Sequence, residues 1–135
     1  MQEITSPEMA EEVGVLLAYA ASVEKAALEY SRYIEMPDMR LFGMWEGGRL
    51  AGCIGIECLH PQALEIKHIA VAPTQRGRGI GKALVKAVRK ELTPNVIVAE
   101  TDGEAVGFYR SLGFEIRSLG EKYPGVERFR CRCQK

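Results

Sequence analysis

Apolar positions recur at helical spacing near the N-terminus, run through β-type segments in the middle, and return to helical spacing after Gly79. Met9, Val13, Leu16, Leu17 and Ala20 fall on one helical stripe. Ser6 supplies a cap, Pro7 a first-turn proline and Glu8 a first-turn acid, so a helix is expected from Pro7, after a short strand within residues 1–6. Val23, Ala26, Ala27, Tyr30 and Ile34 form a second stripe that opens at Ser22. It must end before Pro37, because a residue preceding proline is pushed out of the helical region.

The period then changes. Arg40 to Trp45 reads as a strand, Glu46-Gly47-Gly48-Arg49 as a hairpin turn, and Leu50 to Leu59 as the returning strand. His60-Pro61-Gln62 predicts the next turn and Ala63 to Ala72 a third strand, stopped by Pro73. From Gly79 to Leu92 the pattern is helical, with Ile80, Leu84, Val85 and Val88 on one face and basic residues on the other. Val96 to Glu100 predicts a strand, and Gly103 to Leu112 a helix capped by Gly113. Phe114 to Ser118 and Val126 to Cys133 are candidate final strands around a Tyr123-Pro124-Gly125 loop. No repeat or linker interrupts this order, so one α/β domain over residues 1–135 is expected.

Composition narrows the classes. The chain has 135 residues, 47% of them hydrophobic, enough for a core without staples. Lysine and arginine together number 18 and balance 18 acidic residues, so no global charge favours nucleic acid or an anionic membrane. The N-terminus lacks a basic flank and apolar run, and the longest apolar stretch, Val13 to Ala21, falls short of the ~20 residues of a membrane span. A soluble, cytoplasmic protein is expected. Cys53, Cys58, Cys131 and Cys133 have poor spacing for a zinc site, and their strand-like flanks suggest reduced, half-buried thiols. No metal is expected.

The segment from Glu65 to Leu84 carries the chemistry. Gly77, Gly79 and Gly81 alternate between a strand and an amphipathic helix. Such a turn lets successive N–H groups converge on an anion, and the helix start adds unpaired donors and partial positive charge. Arg76, Arg78 and Lys82 surround the same point, making a pyrophosphate cradle. A dinucleotide fingerprint fails because its third glycine would be Lys82, and a P-loop fails because Ala83 follows Lys82.

Arg76, Gly79 and Gly81 match, in order, the acyl-CoA motif [Gln/Arg]-x-x-Gly-x-[Gly/Ala], and Asp102, Ala105, Phe108, Tyr109, Gly113 and Phe114 match a second motif, Asn/Asp-x-x-Ala-x-x-Phe-Tyr-x-x-x-Gly-Phe. On these residues the chain resembles the GNAT N-acetyltransferase superfamily, most clearly over residues 63–118. The resemblance implies a mixed, mainly antiparallel sheet with splayed middle strands and about four flanking helices. It also implies acetyl-CoA as cosubstrate and acetyl transfer to a primary amine by direct attack in a ternary complex.

In that frame the strand of Ile69, Ala70 and Val71 lies along the pantetheine arm, with the backbone of Ile69 and Val71 pairing to it. The segment Arg76, Gly77, Arg78, Gly79, Ile80, Gly81 and Lys82 holds the pyrophosphate. Tyr109 takes the place of a general acid for the leaving thiol, and Glu65 that of a general base, with a water chain as its alternative. Asp102 either bonds the pantetheine or caps the following helix. His68 is expected to be structural, since simple alternation puts it opposite Lys67 and Ile69 unless a bulge intervenes.

The acceptor is expected between the two N-terminal helices and the late loop, near Glu24, Glu29, Tyr30, Tyr33 and Met36. A small-molecule amine and a peptide or protein amine both stay open, as does a homodimer. The rivals are an enzyme using a longer acyl group and a non-catalytic CoA-binding regulatory module. A nucleic-acid binder built on the basic helix leaves the glycine spacing unexplained.

Overall fold

A computed structural model describes residues 1–59 and 61–135. Its elements are β1 (Gln2–Glu3), α1 (Glu11–Ala20), α2 (Ala26–Glu35), β2 (Met39–Glu46), β3 (Arg49–Leu59), β4 (Ala63–Val71), α3 (Ile80–Leu92), β5 (Val96–Asp102), α4 (Val106–Ser111), β6 (Glu115–Tyr123) and β7 (Val126–Gln134). Among the described residues these strands form one sheet in the order β1-β2-β3-β4-β5-β7-β6. The β4–β5 pair is parallel and the others are antiparallel. The expected mixed, mainly antiparallel sheet with four flanking helices is therefore what the chain builds.

Hairpin chemistry explains the first half. Gly47 and Gly48 both take positive φ, 57° and 80°, which suits the tight turn between β2 and β3. The parallel step from β4 to β5 cannot use a hairpin and instead crosses over through α3. The predicted turn at His60-Pro61-Gln62 includes His60, which lies outside the described residues.

The sheet separates two cores. On one face Leu84, Val85 and Val88 of α3 pack with Ile54, Ile56, Leu64, Ile66 and Ile97. Val106, Tyr109 and Phe114 join the same cluster. On the other face Val13, Leu16 and Leu17 of α1 and Tyr30 and Tyr33 of α2 cover Leu41, Cys53 and Ala70. Burial of so many branched and aromatic side chains is the main stabilising term, at about 1.5–3 kcal/mol for each fully buried one. Among the cysteines, Cys53 and Cys131 are buried within these cores, Cys58 is exposed, and all four are free thiols.

Three helix starts differ from expectation. The first helix begins at Glu11 rather than Pro7. Ser6 Oγ accepts the Glu8 N–H at 3.2 Å and so closes a local bend instead of capping a helix. The second begins at Ala26, because Ser22 organises a preceding turn through its Oγ and its carbonyl, which accept from Lys25 and Ala26. The last begins at Val106 rather than Gly103, after a turn held by Asp102.

One close approach ties α2 to the sheet. A β-carbon on Gly55 would lie inside the van der Waals envelope of the Tyr33 ring and hydroxyl. Only a hydrogen at this position lets Tyr33 lie across β3. Gly55→Ala should therefore lower stability by about 1–3 kcal/mol through overpacking, read as a lower urea midpoint at unchanged m-value.

Candidate active site

The site begins where two neighbouring strands part. Pairing of β4 with β5 runs from Ala63↔Val96 to Ile66↔Ala99. Beyond that point β5 keeps its partner on the far side, with Glu100 opposite Arg130 and Asp102 opposite Arg128. Likewise β4 stays on β3 up to Val71 opposite Gly52. A wedge opens between Lys67–Val71 and Glu100–Asp102, forming a cleft of about 770 Å³.

The divergence coincides with an irregularity in β4. Ile66 faces Ile56, but the next β3 residue, Gly55, faces His68, so Lys67 is an extra residue. Such a bulge bends the strand and inverts alternation beyond it. Leu64 and Ile66 belong to the α3-side core, and after the bulge it is Ile69 and Val71 that pack on that side. Ala70 joins the core under α1. His68, of the same parity as Ala70, is thereby carried to the α1–α2 side.

Backbone direction follows from the ladder. Ala72 N–H donates to Ala51 O at 2.8 Å. In an antiparallel pair the bonded positions alternate, so Ala70 is the next residue bonded to β3, at Cys53. The N–H and C=O groups of Ile69 and Val71 then point into the cleft. Ala70 contributes wall to the cleft, but its backbone groups face β3 and its side chain is buried. Any part it has at the cleft is therefore as wall, not as a polar contact.

The glycine turn closes one end. Gly77 and Gly79 take positive φ, 79° and 78°, and Gly79 is the residue before α3. The Ala83 N–H donates to Gly79 O at 2.9 Å and is the first to join the helical ladder. Those of Ile80, Gly81 and Lys82 precede it and remain available at the helix start. The Gly81 position has a separate reason: a β-carbon there would stand 3.0 Å from the Phe108 ring. Ile80 sends its side chain into the core, while Arg78 and Lys82 are exposed at the turn. Arg76 folds back, donating from Nε to Val71 O at 3.1 Å and stacking 5.3 Å from the Tyr19 ring centroid.

Tyr109 lies on the wall formed by α4. It is 4% exposed, and its ring meets Phe108 and Phe114 edge-on. Burial pushes its phenol well above the usual tyrosine range, with Cys131 adding to the rise. Tyr109 lines the cleft, and among the described residues its hydroxyl has no hydrogen-bond partner yet is not fully enclosed. Asp102, also on the wall, accepts the Glu104 and Ala105 N–H groups at 3.0 Å through Oδ1, so its helix-entry role is filled.

Glu65 is outside the cleft lining. It sits in the paired part of β4, between Glu57 and Val98, with its carboxylate 3.7 Å from Lys67 Nζ. Lys67 bridges it to Glu57 at the same distance. The place nearer the cleft belongs to His68, whose Nδ1 lies 2.5 Å from the Tyr33 hydroxyl. Burial lowers the His68 pKa, Glu29 opposes that shift and Lys67 reinforces it. The Tyr33 phenol is pushed far up by burial and by surrounding acids.

The expected acceptor residues are not brought together in this cleft. Tyr30 donates to Ser6 O at 2.7 Å and is a packing residue, and Met36 is 54% exposed. Among the described residues none of Glu24, Glu29, Tyr30, Tyr33 and Met36 lines the cleft, and Tyr33 reaches it only through His68. The N-terminal side is supplied instead by Tyr19 and Ala20. Across the cleft stand Glu100 and Arg128, which sequence reasoning missed. Glu100 accepts Lys122 Nζ at 3.1 Å and Arg128 Nε at 3.4 Å, and the Lys122 bond leads in lowering its pKa. Alternation along β5 and β7 signals where such a pair could lie, but only strand register brings them together.

Comparison with known proteins adds an independent line. Residues 37–116 match the model of the acetyltransferase (GNAT) domain. An uncharacterised N-acetyltransferase of Bacillus methanolicus is 37% identical over 78 residues, covering 54% of this chain and 65% of the relative. The N-alpha-acetyltransferase RimI of Mycobacterium tuberculosis is 33% identical over 100 residues, covering 70% of this chain and 63% of that protein. The chain thus spans a little under two thirds of the length of these curated relatives. A Bacillus subtilis acetyltransferase solved in complex with CoA superposes with a TM-score of 0.76 at 21% identity, over 99% of this chain and 98% of the other. At that identity the likeness is one of fold.

The turn is conformationally demanding even though it is open. Nothing stands within 4 Å of a β-carbon built on Gly79, yet its φ is +78°. Gly79→Ala should cost about 1–2 kcal/mol from the left-handed backbone alone, seen as a lower melting temperature in a protein whose circular dichroism at 20 °C is unchanged.

Proposed function

The chain belongs to the GNAT acetyltransferase family, its residues 37–116 matching that domain's model, and on that premise we propose that it moves an acetyl group from acetyl-CoA to a primary amine within one ternary complex. The observation that carries this proposal is the opened slot between β4 and β5. Backbone groups of Ile69 and Val71 face into it, and a basic glycine turn stands at one end.

The residues fit the coenzyme's chemistry. The pyrophosphate needs donors and positive charge, which the N–H groups around Gly79 to Lys82 and the side chains of Arg78 and Lys82 supply. The pantetheine arm is extended and carries amides, so it can pair with a strand edge as an added strand does. Arg76 on Val71 O does not block that pairing, because a carbonyl oxygen has two lone pairs. The CoA complex of the Bacillus subtilis fold relative supports this choice of cosubstrate.

Bound acetyl-CoA supplies an activated thioester. The chain's own task is to fix its reacting end and to move protons. N–H groups of β4 turned to the slot stabilise developing negative charge on the carbonyl oxygen. Tyr109 is un-ionised throughout the neutral range, so it donates a hydrogen bond to the sulfur as negative charge builds there and passes its proton on as the amide nitrogen loses one. Its edge-on contacts with Phe108 and Phe114 hold the ring in place for that transfer.

Two measurements test this function. Acetyl-CoA at about 100 times Kd should stabilise the fold by about 2.7 kcal/mol, a melting shift on the order of 10 °C, while DNA or RNA should give none. With a panel of primary amines, Tyr109→Phe should reduce kcat by about 10²-fold and leave coenzyme Kd within about twofold. Normal turnover by Tyr109→Phe would remove the acid assignment. Tight coenzyme binding without thiol release for any amine would mark a non-catalytic module instead.

A further inference from the structure

We infer that His68 is the general base of the reaction, taking the acceptor amine's proton at Nε2 while Tyr33 holds Nδ1; this role rests on the acetyl-transfer function proposed above. Three independent features of the structure converge on it. The extra residue Lys67 turns His68 out of the α3-side core and toward the α1–α2 side, where it lines the cleft. Its direct strand partner is Gly55, and the missing side chain there lets the Tyr33 hydroxyl cross β3 to reach Nδ1 at 2.5 Å. Among the described residues Nε2 has no hydrogen-bond partner, and it is not an enclosed orphan. A packing histidine would have both nitrogens satisfied or shut away. His68, on the cleft wall, keeps a nitrogen without a partner among the described residues.

For Nε2 to accept, the neutral ring must carry its proton on Nδ1 and donate it to the Tyr33 oxygen. The phenol suits that task, since burial keeps it un-ionised and un-ionised phenol accepts as well as donates. The charged and titratable groups around the pair come from three elements. They are Glu29 on α2, Cys53 and Glu57 on β3, and Glu65 and Lys67 on β4. Their net effect with burial is a folded pKa below the ordinary ~6.5, so His68 is neutral and able to accept at neutral pH.

The protons then balance. An alkylammonium gives its first proton to His68 Nε2, from which it passes to water. The freed nitrogen lone pair forms the C–N bond, and the C–S bond breaks with its electrons on sulfur. Tyr109 gives its proton to the departing sulfur, which leaves as a thiol, and the second proton, lost from the nitrogen as the amide forms, returns through water to the Tyr109 oxygen. The products are an N-substituted acetamide and free CoA.

The test follows thiol release from acetyl-CoA with a primary amine from about pH 5.5 to 9, in wild type, His68→Gln and Tyr33→Phe. In wild type, kcat/KM for total amine should be level near neutrality and fall tenfold per unit below the His68 pKa. His68→Gln should be slower by about 10²-fold at pH 7 and should climb tenfold per pH unit, following the free amine. Tyr33→Phe should shift the acid limb while leaving the acetyl-CoA Kd unchanged, an effect that lost packing alone would not produce. Because the chain has 2 histidines, wild-type imidazole NMR provides a check that requires no variant to fold. The His68 midpoint must coincide with the acid limb.

A mismatch of those two values, or a His68→Gln enzyme with the wild-type limb, overturns the base role. A slow His68→Gln enzyme with an unchanged limb also overturns it, in favour of hydrogen-bond donation to substrate. A wild type that releases no thiol with any amine overturns the acetyl-transfer function, and the base role falls with it.

Discussion

The cleft depends on one inserted residue in β4. A strand that continued in register past Ile66 would keep pairing with β5, and no slot would form. Lys67 breaks that register. Backbone groups that pairing with β5 would have satisfied are left open, an arrangement worth its cost only if something else bonds them. Its effect extends to the side chains, because inverted alternation places Ile69 and Val71 in the α3-side core and sends His68 to the opposite side. Opening the slot and delivering His68 to its wall are thus a single structural event.

The glycine turn acts through main chain more than side chain. Gly77 and Gly79 take conformations that other residues adopt at a cost, and the helix that starts at Ile80 offers its first N–H groups beyond them. Gly81 is there for clearance, since the Phe108 ring approaches it closely. The three glycines therefore answer two different demands. Phe108 links these to Tyr109, its edge-on neighbour, so the glycine turn and Tyr109 share one packed wall.

The order of elements was legible because each is written locally. Hairpin glycines, Pro37, Pro73 and Gly113 punctuate the chain where their backbone chemistry requires, and the stripe Ile80, Leu84, Val85, Val88 is the one that packs. The glycine turn was legible for the same reason. Helix starts were less so, since Ser6, Ser22 and Asp102 bond the backbone of turns as readily as that of helices. The bulge could not be read at all: it is a relation between β3 and β4, and no residue type at Lys67 announces it. His68 does lie opposite Ile69, as alternation implies, but only the bulge takes it off the side held by Leu64 and Ile66. The acceptor residues were placed by helix proximity, whereas register and packing set Tyr30 on the Ser6 carbonyl and Tyr33 on His68.

Charge divides the cleft in a way the balanced composition conceals. Positive side chains collect at the turn, where the proposed coenzyme would present its phosphates. Beside the slot, Tyr109 and His68 with its partner Tyr33 are each moved by burial toward their neutral forms, while Glu100 across the cleft keeps its charge against Lys122 and Arg128. Attack of an amine on a thioester begins and ends with neutral species and builds charge only between them. Neutral donors and acceptors fixed in place can follow that transient charge, whereas a permanently charged group would bind one state and resist the next. Lys67, which lines the cleft at the bulge, has its charge paired with Glu57 and Glu65, so the bulge sets a paired charge beside a neutral imidazole.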